Sequence, residues 1–190
     1  MRRFILFVLV GLIGIVLVGC SFGQSPETVT KEFLTSLQTC DFDKAATYTE
    51  TSDKDISKDI IKNDEGERIG KLILSKATYE VGTSSTTGEK LTVKVKVTAI
   101  DMVRIATKVM SELMPMAFAS AFSDDKNASN EQMDNLMNQY LENSISDAQA
   151  PKVANEVNVN LIKTKDGWKI AQDNEELFDA ITGNASKAFK

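Results

Sequence analysis

The sequence predicts an α+β domain with helices packed on a four-stranded antiparallel sheet. Three observations carry this. The stretch from residue 25 to about 62 has apolar residues at helical spacing. Two separate stretches, 73–97 and 153–170, alternate apolar and polar residues and are each broken by a turn signal, so they read as two hairpins. Between them, residues 102–141 return to spacings of three and four and insert a Met-rich helical pair. Helices gathered against an antiparallel sheet are one of the few stable layer arrangements.

Ser25-Pro26-Glu27 opens the first helix. Ser25 caps it, Pro26 suits the first helical position and Glu27 faces the positive end of the dipole. Val29, Phe33, Leu34 and Leu37 make its apolar face, through about Thr39. Asp41 caps a second, short helix over Phe42–Thr49, with Phe42, Ala45 and Ala46 inward. The polar stretch Thr51–Arg68 holds a third helix around Ile56–Lys62. The period then changes to two. Ile73, Ala77, Tyr79 and Val81 alternate with Lys76, Thr78 and Glu80; after a turn region at Gly82–Lys90, Leu91, Val93, Val95 and Val97 alternate with Thr92, Lys94, Lys96 and Thr98. This is the pattern of strands with one dry and one wet face.

From Met102 to Phe122, Ala106, Val109, Met110, Leu113, Ala117 and Ala121 recur at helical spacing, and Pro115 should kink or split the helix. A loop spans Ser123–Ser129. Ser129 to Gln132 has the form of a capping box and opens a helix with Met133, Leu136, Met137, Tyr140 and Leu141 on one side. After Pro151, Val153, Val157, Val159 and Leu161 alternate with Glu156, Asn158 and Asn160. Asp166-Gly167 is a two-residue hairpin signal leading into Trp168 and Ile170. A last helix, Asn174–Ile181, stops near Gly183.

Ahead of the domain, Arg2 and Arg3 precede an apolar run from Phe4 to Val18, and Leu17-Val18-Gly19-Cys20 follows from it. The run is short of the about 20 residues a spanning helix needs, and Gly11 and Gly14 weaken it further. The segment resembles the signal of bacterial lipoprotein precursors, with Leu17, Val18 and Gly19 before an acylated Cys20. The resemblance implies a signal peptide over 1–19, cleavage after Gly19, a lipidated tether over 20–25 and a single domain over 26–190. It implies a diacylglyceryl thioether on Cys20 that holds the chain to the extracytoplasmic face of the cell membrane. Two acyl chains suffice, at about 0.8 kcal/mol per buried methylene. Ser21 and the Lys- and Ile-rich composition favour a Gram-positive membrane.

The formal charge is −5; loss of Arg2 and Arg3 removes two positive charges and gives −7. An acidic chain without clustered Lys and Arg argues against nucleic acid and against docking on anionic lipid. The chain has no histidine. That excludes a Ser-His-Asp triad, a Cys-His pair and the ordinary zinc sites. Of two cysteines, acylation of Cys20 leaves Cys40 alone, with no disulfide and no base to activate it. No acidic cluster has the spacing of a calcium loop. No cofactor is expected.

Met110 and Met114, and Met133 and Met137, are each four apart and so share a helix face. Three readings stand: packing of the helices, an adaptable groove for a partner or apolar ligand, or soft-metal binding. The four methionines are the candidate groove. The polar strand faces, with Lys94, Lys96, Asn158 and Asn160, meet solvent or form a homodimer contact.

Ser25-Pro26-Glu27 with Phe33-Leu34, the step Cys40-Asp41-Phe42-Asp43-Lys44-Ala45, and the closing Asp166-Gly167-Trp168-Lys169-Ile170 together resemble small secreted lipoproteins with a nuclear-transport-factor-like, or cystatin-like, cone domain. The resemblance implies a curved sheet wrapped by helices around a pocket. Some members use the pocket for catalysis; Tyr48, Tyr79, Asp41 and Asp43 are the loosely placed candidates here, and none matches a catalytic motif. The expectation is a non-enzymatic, membrane-anchored domain that binds an unknown protein or small apolar ligand. The alternatives are a pocket enzyme using a Tyr/Asp pair and an oligomeric structural lipoprotein.

Overall fold

The computed structural model describes residues 23–51, 64–87, 90–120 and 126–188. The expected signal peptide, the expected tether point at Cys20 and the expected Ile56–Lys62 helix lie outside them. Among the described residues six α-helices and four strands run in the order α1 (Pro26–Gln38), α2 (Phe42–Ala46), α3 (Asp64–Ser75), β1 (Thr78–Thr87), β2 (Lys90–Ile100), α4 (Met102–Ser120), α5 (Lys126–Ser146), β3 (Lys152–Thr164), β4 (Gly167–Ile170) and α6 (Glu175–Ile181), closed by a 3-10 turn at Ala185–Lys187. The sheet is antiparallel throughout, in the order β1-β2-β3-β4. The fold is α+β, as the alternating and helical periods require, and its helices against one sheet are consistent with the cone-like arrangement.

α1 begins as its residues dictate. The Ser25 hydroxyl accepts the Thr28 N–H at 3.2 Å and Pro26 occupies the first turn. Its apolar face, Val29, Phe33, Leu34 and Leu37, is buried against the inner face of the sheet. From the sheet come Val93, Val95, Val97, Val157, Val159, Leu161 and Ile170, and from α6 come Leu177, Ala180 and Ile181. The opposite sheet face carries its own ion pairs, Lys94–Glu156 at 3.0 Å and Lys96–Glu80 at 2.9 Å, all well exposed. Pairs this exposed add little stability, but they neutralise the face.

A second core lies apart from the first. Ile73 of α3, Ile100 at the end of β2, Met102, Ile105, Val109 and Leu113 of α4, and Leu141 and Ile145 of α5 bury one another. α4 packs on α5 and on the C-terminal turn, and α5 packs on α3. The inserted helices therefore form an arm with its own interior, leaving from the sheet end at Ile100 and Lys152.

Several boundaries differ from expectation. Ile73 belongs to helix α3, which starts at Asp64, and the strand starts only at Thr78. α2 stops at Ala46. β1 continues to Thr87, where a long turn was expected, with its register slipping between Val81 and Ser84. Pro115 does not split α4, which runs on to Ser120, and residues 114–119 around it are exposed. α5 starts at Lys126, three residues before the expected capping box. The β3–β4 loop is Lys165-Asp166, with Gly167 at φ +112 just after it. Glycine is suited to that backbone geometry.

The slip in β1 is held from α1. The Ser84 N–H donates to Glu27 Oε1 at 2.9 Å. Hydrogen bonds from the Ser84 side chain, then from the Glu27 and Ser84 backbone N–H groups, lower the Glu27 carboxyl from 4.5 to about 2. A carboxyl with a depressed folded pKa contributes stability above its unfolded pKa and loses it as pH falls through the folded value. The Glu27→Gln variant should therefore be less stable by on the order of 1 kcal/mol at neutral pH, a figure discounted for solvent screening. That gap should close between pH 4.5 and pH 2. Denaturant melts of both proteins across this range check it; a gap that stays constant to pH 2 rejects the role given to the carboxylate.

Candidate functional site

Two places can carry function: the layer between sheet and helices, and the helical arm. The first is where the cone resemblance expects a pocket. Among the described residues its interior is filled by the α1, β2, β3 and α6 side chains of the main core.

The Tyr/Asp candidates are spread across it. Asp41 is engaged as a helix cap, its Oδ1 accepting the Lys44 N–H at 3.0 Å. Asp43 is exposed in the first turn of α2. Tyr48 is half-buried against the main core. Tyr79 also packs there, and its hydroxyl is buried with no hydrogen-bond partner among the described residues. Burial pushes the Tyr79 phenol well above its ordinary value, and the Cys40 thiol nearby raises it further. A phenol so placed stays protonated near neutral pH. Burial likewise raises the Cys40 thiol, with Lys71 opposing it, which keeps the sulfur in its less nucleophilic form.

Cys40 has a conformational role that its sequence context hid. It sits at φ +57 just past α1. Its N–H donates to the Leu37 carbonyl at 3.0 Å, and the Asp41 N–H donates to the Ser36 carbonyl at 2.8 Å. This is the Schellman closure of a helix, in which glycine usually takes the left-handed position.

A second feature needed the strand register to be seen. Tyr79 pairs with Val97, and Val97 pairs with Asn155, so the three share one row across the inner sheet face. The Asn155 Nδ2 is, like the Tyr79 hydroxyl, buried without a partner among the described residues. An unpaired buried polar group costs roughly 1–3 kcal/mol.

The candidate methionines fall on two sides of the arm. Met133 and Met137 of α5 are half-buried against the second core. Met110 and Met114 of α4 are 48% and 49% exposed, and with Met116 and Phe118, at 64%, they are the large apolar side chains left exposed among the described residues. Beyond Leu113, every α4 residue through Ala119 is exposed.

On the other side of α5 an open depression of about 460 Å³ lies against α3. Gln132, Asn135 and Gln139 line it, and Arg68 bridges it to Glu142 at 3.1 Å. Reading Thr51–Arg68 as a polar stretch concealed this, because the wall that carries Arg68 is helix α3. Among the described residues no group of three or more metal-ligating side chains comes together, and no helix is long and apolar enough to cross a membrane.

The protein is thus a two-layer α+β domain with a buried core between sheet and helices and a helical arm bearing an exposed apolar end. It belongs to the family described as Domain of unknown function (DUF5105), whose model matches residues 22–182. No curated protein and no solved structure matches the chain.

Proposed function

We propose that this protein is a membrane-tethered extracytoplasmic lipoprotein whose domain works by binding a protein or a small apolar ligand rather than by catalysis. The observation that carries the binding role is the exposed apolar end of α4, from Met110 to Phe118. Methionine-rich surfaces suit contact, because the unbranched thioether adapts to varied partners. The raised Tyr79 phenol and Cys40 thiol support the non-catalytic reading, since each is held in its unreactive protonated form.

The tether rests on Leu17-Val18-Gly19-Cys20 behind an apolar run. Growth with labelled fatty acid tests it. Wild-type chain should carry the label and fractionate with membranes, and Cys20→Ser should lose both. Label retained in the Cys20→Ser variant, or wild-type chain recovered from cytosol, ends the tether reading.

A further inference from the structure

We infer that the exposed end of α4 pairs with the same surface of a second copy of this chain. This deepens the binding role proposed above and rests on that role; it does not depend on the lipid tether. Met110, Met114 and Phe118 stand at positions i, i+4 and i+8, so they form one ridge about 12 Å long on α4. Ridges of this spacing interdigitate when two helices cross.

The ridge is complementary to itself. A two-fold contact between antiparallel copies sets Met114 beside its own counterpart on the axis, and each Phe118 beside a Met110. Sulfur against an aromatic edge is a favourable contact, and a two-fold interface requires this reciprocity of contacts. Charge points the same way. Residues 113–120, Leu-Met-Pro-Met-Ala-Phe-Ala-Ser, contain no charged residue in a chain of formal charge −5. Two acidic copies meet there with no like charges opposed.

The sheet's outer face, by contrast, is occupied by its own Lys–Glu pairs. A bilayer is a poorer cover for the ridge. The described chain enters beside the β3–β4 turn, where Gly23 approaches Gly167, while α4 leaves from the other end of β2.

The three ridge side chains present on the order of 300 Å². Two copies then bury on the order of 600 Å² from them, below the roughly 1,200 Å² of a stable standard interface. The dimer is therefore weak and driven by concentration.

The test uses the full chain in mild detergent. Sedimentation should show mass rising from monomer toward dimer with concentration. Met114→Glu should weaken that at least tenfold while leaving Tm unchanged, because the side chain is half-exposed. In a Cys40→Ser background, Met114→Cys should give bis-maleimide dimers well above the parent, which reports any contribution of Cys20. Lys108→Cys, a third of a turn around α4 from Met114 and off the ridge, should not. A monomer at every concentration, or equal crosslinking at 108 and 114, overturns the inference. Crosslinking of Met114→Cys to a different protein without dimer overturns the second copy but leaves the binding role standing. A ridge that crosslinks to nothing overturns the second copy and any protein partner at this surface.

Discussion

Replacing Gly183 with alanine is expected to destabilise the domain by about 3–5 kcal/mol, combining left-handed backbone strain with an irreducible overlap. Gly183 has φ +63, and a Cβ added there would lie 1.7 Å from the Ile100 carbonyl oxygen and 2.9 Å from its carbon. Both atoms are backbone at the end of β2, so no side chain can move aside. The position is also a junction. Gly183 closes α6 in a Schellman arrangement, with its N–H on the Ala180 carbonyl at 3.1 Å and the Asn184 N–H on the Asp179 carbonyl at 2.7 Å. Its own carbonyl accepts the Met102 N–H at 3.0 Å. One residue thus ties the C-terminal helix, the end of the sheet and the start of the arm. For a domain of this size the loss lowers Tm by on the order of 10 °C.

Two comparisons separate the causes. Gly167 has φ +112 but nothing within 4 Å of an added Cβ, so Gly167→Ala should cost only the backbone strain, about 1–2 kcal/mol. Cys40 holds the equivalent helix-closing position without being glycine, which shows that the left-handed conformation alone is tolerated here. Gly183→Asn, which suits that conformation but keeps the Cβ, should accordingly fail nearly as badly as Gly183→Ala. Thermal melts of the four proteins decide it; a Gly183→Ala variant melting with wild type would mean that α6 and β2 do not approach this closely.

The strands were legible because each has one dry face. Val93, Val95 and Val97 in β2, and Val157, Val159 and Leu161 in β3, alternate without interruption, and a one-residue slip would turn all of them outward. Helix α3 was hidden because its apolar residues Ile69, Leu72 and Ile73 sit among Gly66 and Gly70, and glycine costs roughly 1 kcal/mol each in a helix interior. Ile69, Leu72 and Ile73 do fall at i, i+3 and i+4, but they face the second core while Leu74 joins the first, a division that only the packing reveals. The methionines show the same limit. Met110/Met114 and Met133/Met137 have identical spacing, yet one pair faces solvent and the other a core. Periodicity names a face but not what the face meets. The Tyr79–Val97–Asn155 row is beyond sequence reading for a related reason: it exists only once two strand registers are fixed. Cys40 as a helix closure carried no glycine to announce it.

Removing the Asn174 side chain should cost about 2–4 kcal/mol, close to the full penalty for buried backbone groups left unpaired. β4 ends at Ile170 while β3 continues beside it, so the sheet needs another partner for Asn160. Asn174, 3% exposed, supplies it. Its Oδ1 accepts the Asn160 N–H at 2.8 Å, and its Nδ2 donates to the carbonyls of Asn160 at 3.1 Å and Ala171 at 2.8 Å. The amide imitates a strand residue just where the chain turns into α6. This is why Asn174, although it stands at the N-cap of α6, makes no side-chain cap bond to the helix. Asn174→Ala leaves the Asn160 N–H and the Ala171 carbonyl unpaired, whereas the Asn160 carbonyl keeps the Ala171 N–H at 3.0 Å. Asn174→Asp is the sharper probe. It retains an acceptor for Asn160 but replaces the donor with an oxygen facing two carbonyls, so at neutral pH it should be no better than alanine. Lowering the pH protonates the aspartate, returns a donor, and should recover part of the loss. Equilibrium unfolding of both variants at neutral and acid pH measures this. An aspartate variant as stable as wild type at neutral pH would show that the two carbonyl contacts do not hold the end of the sheet.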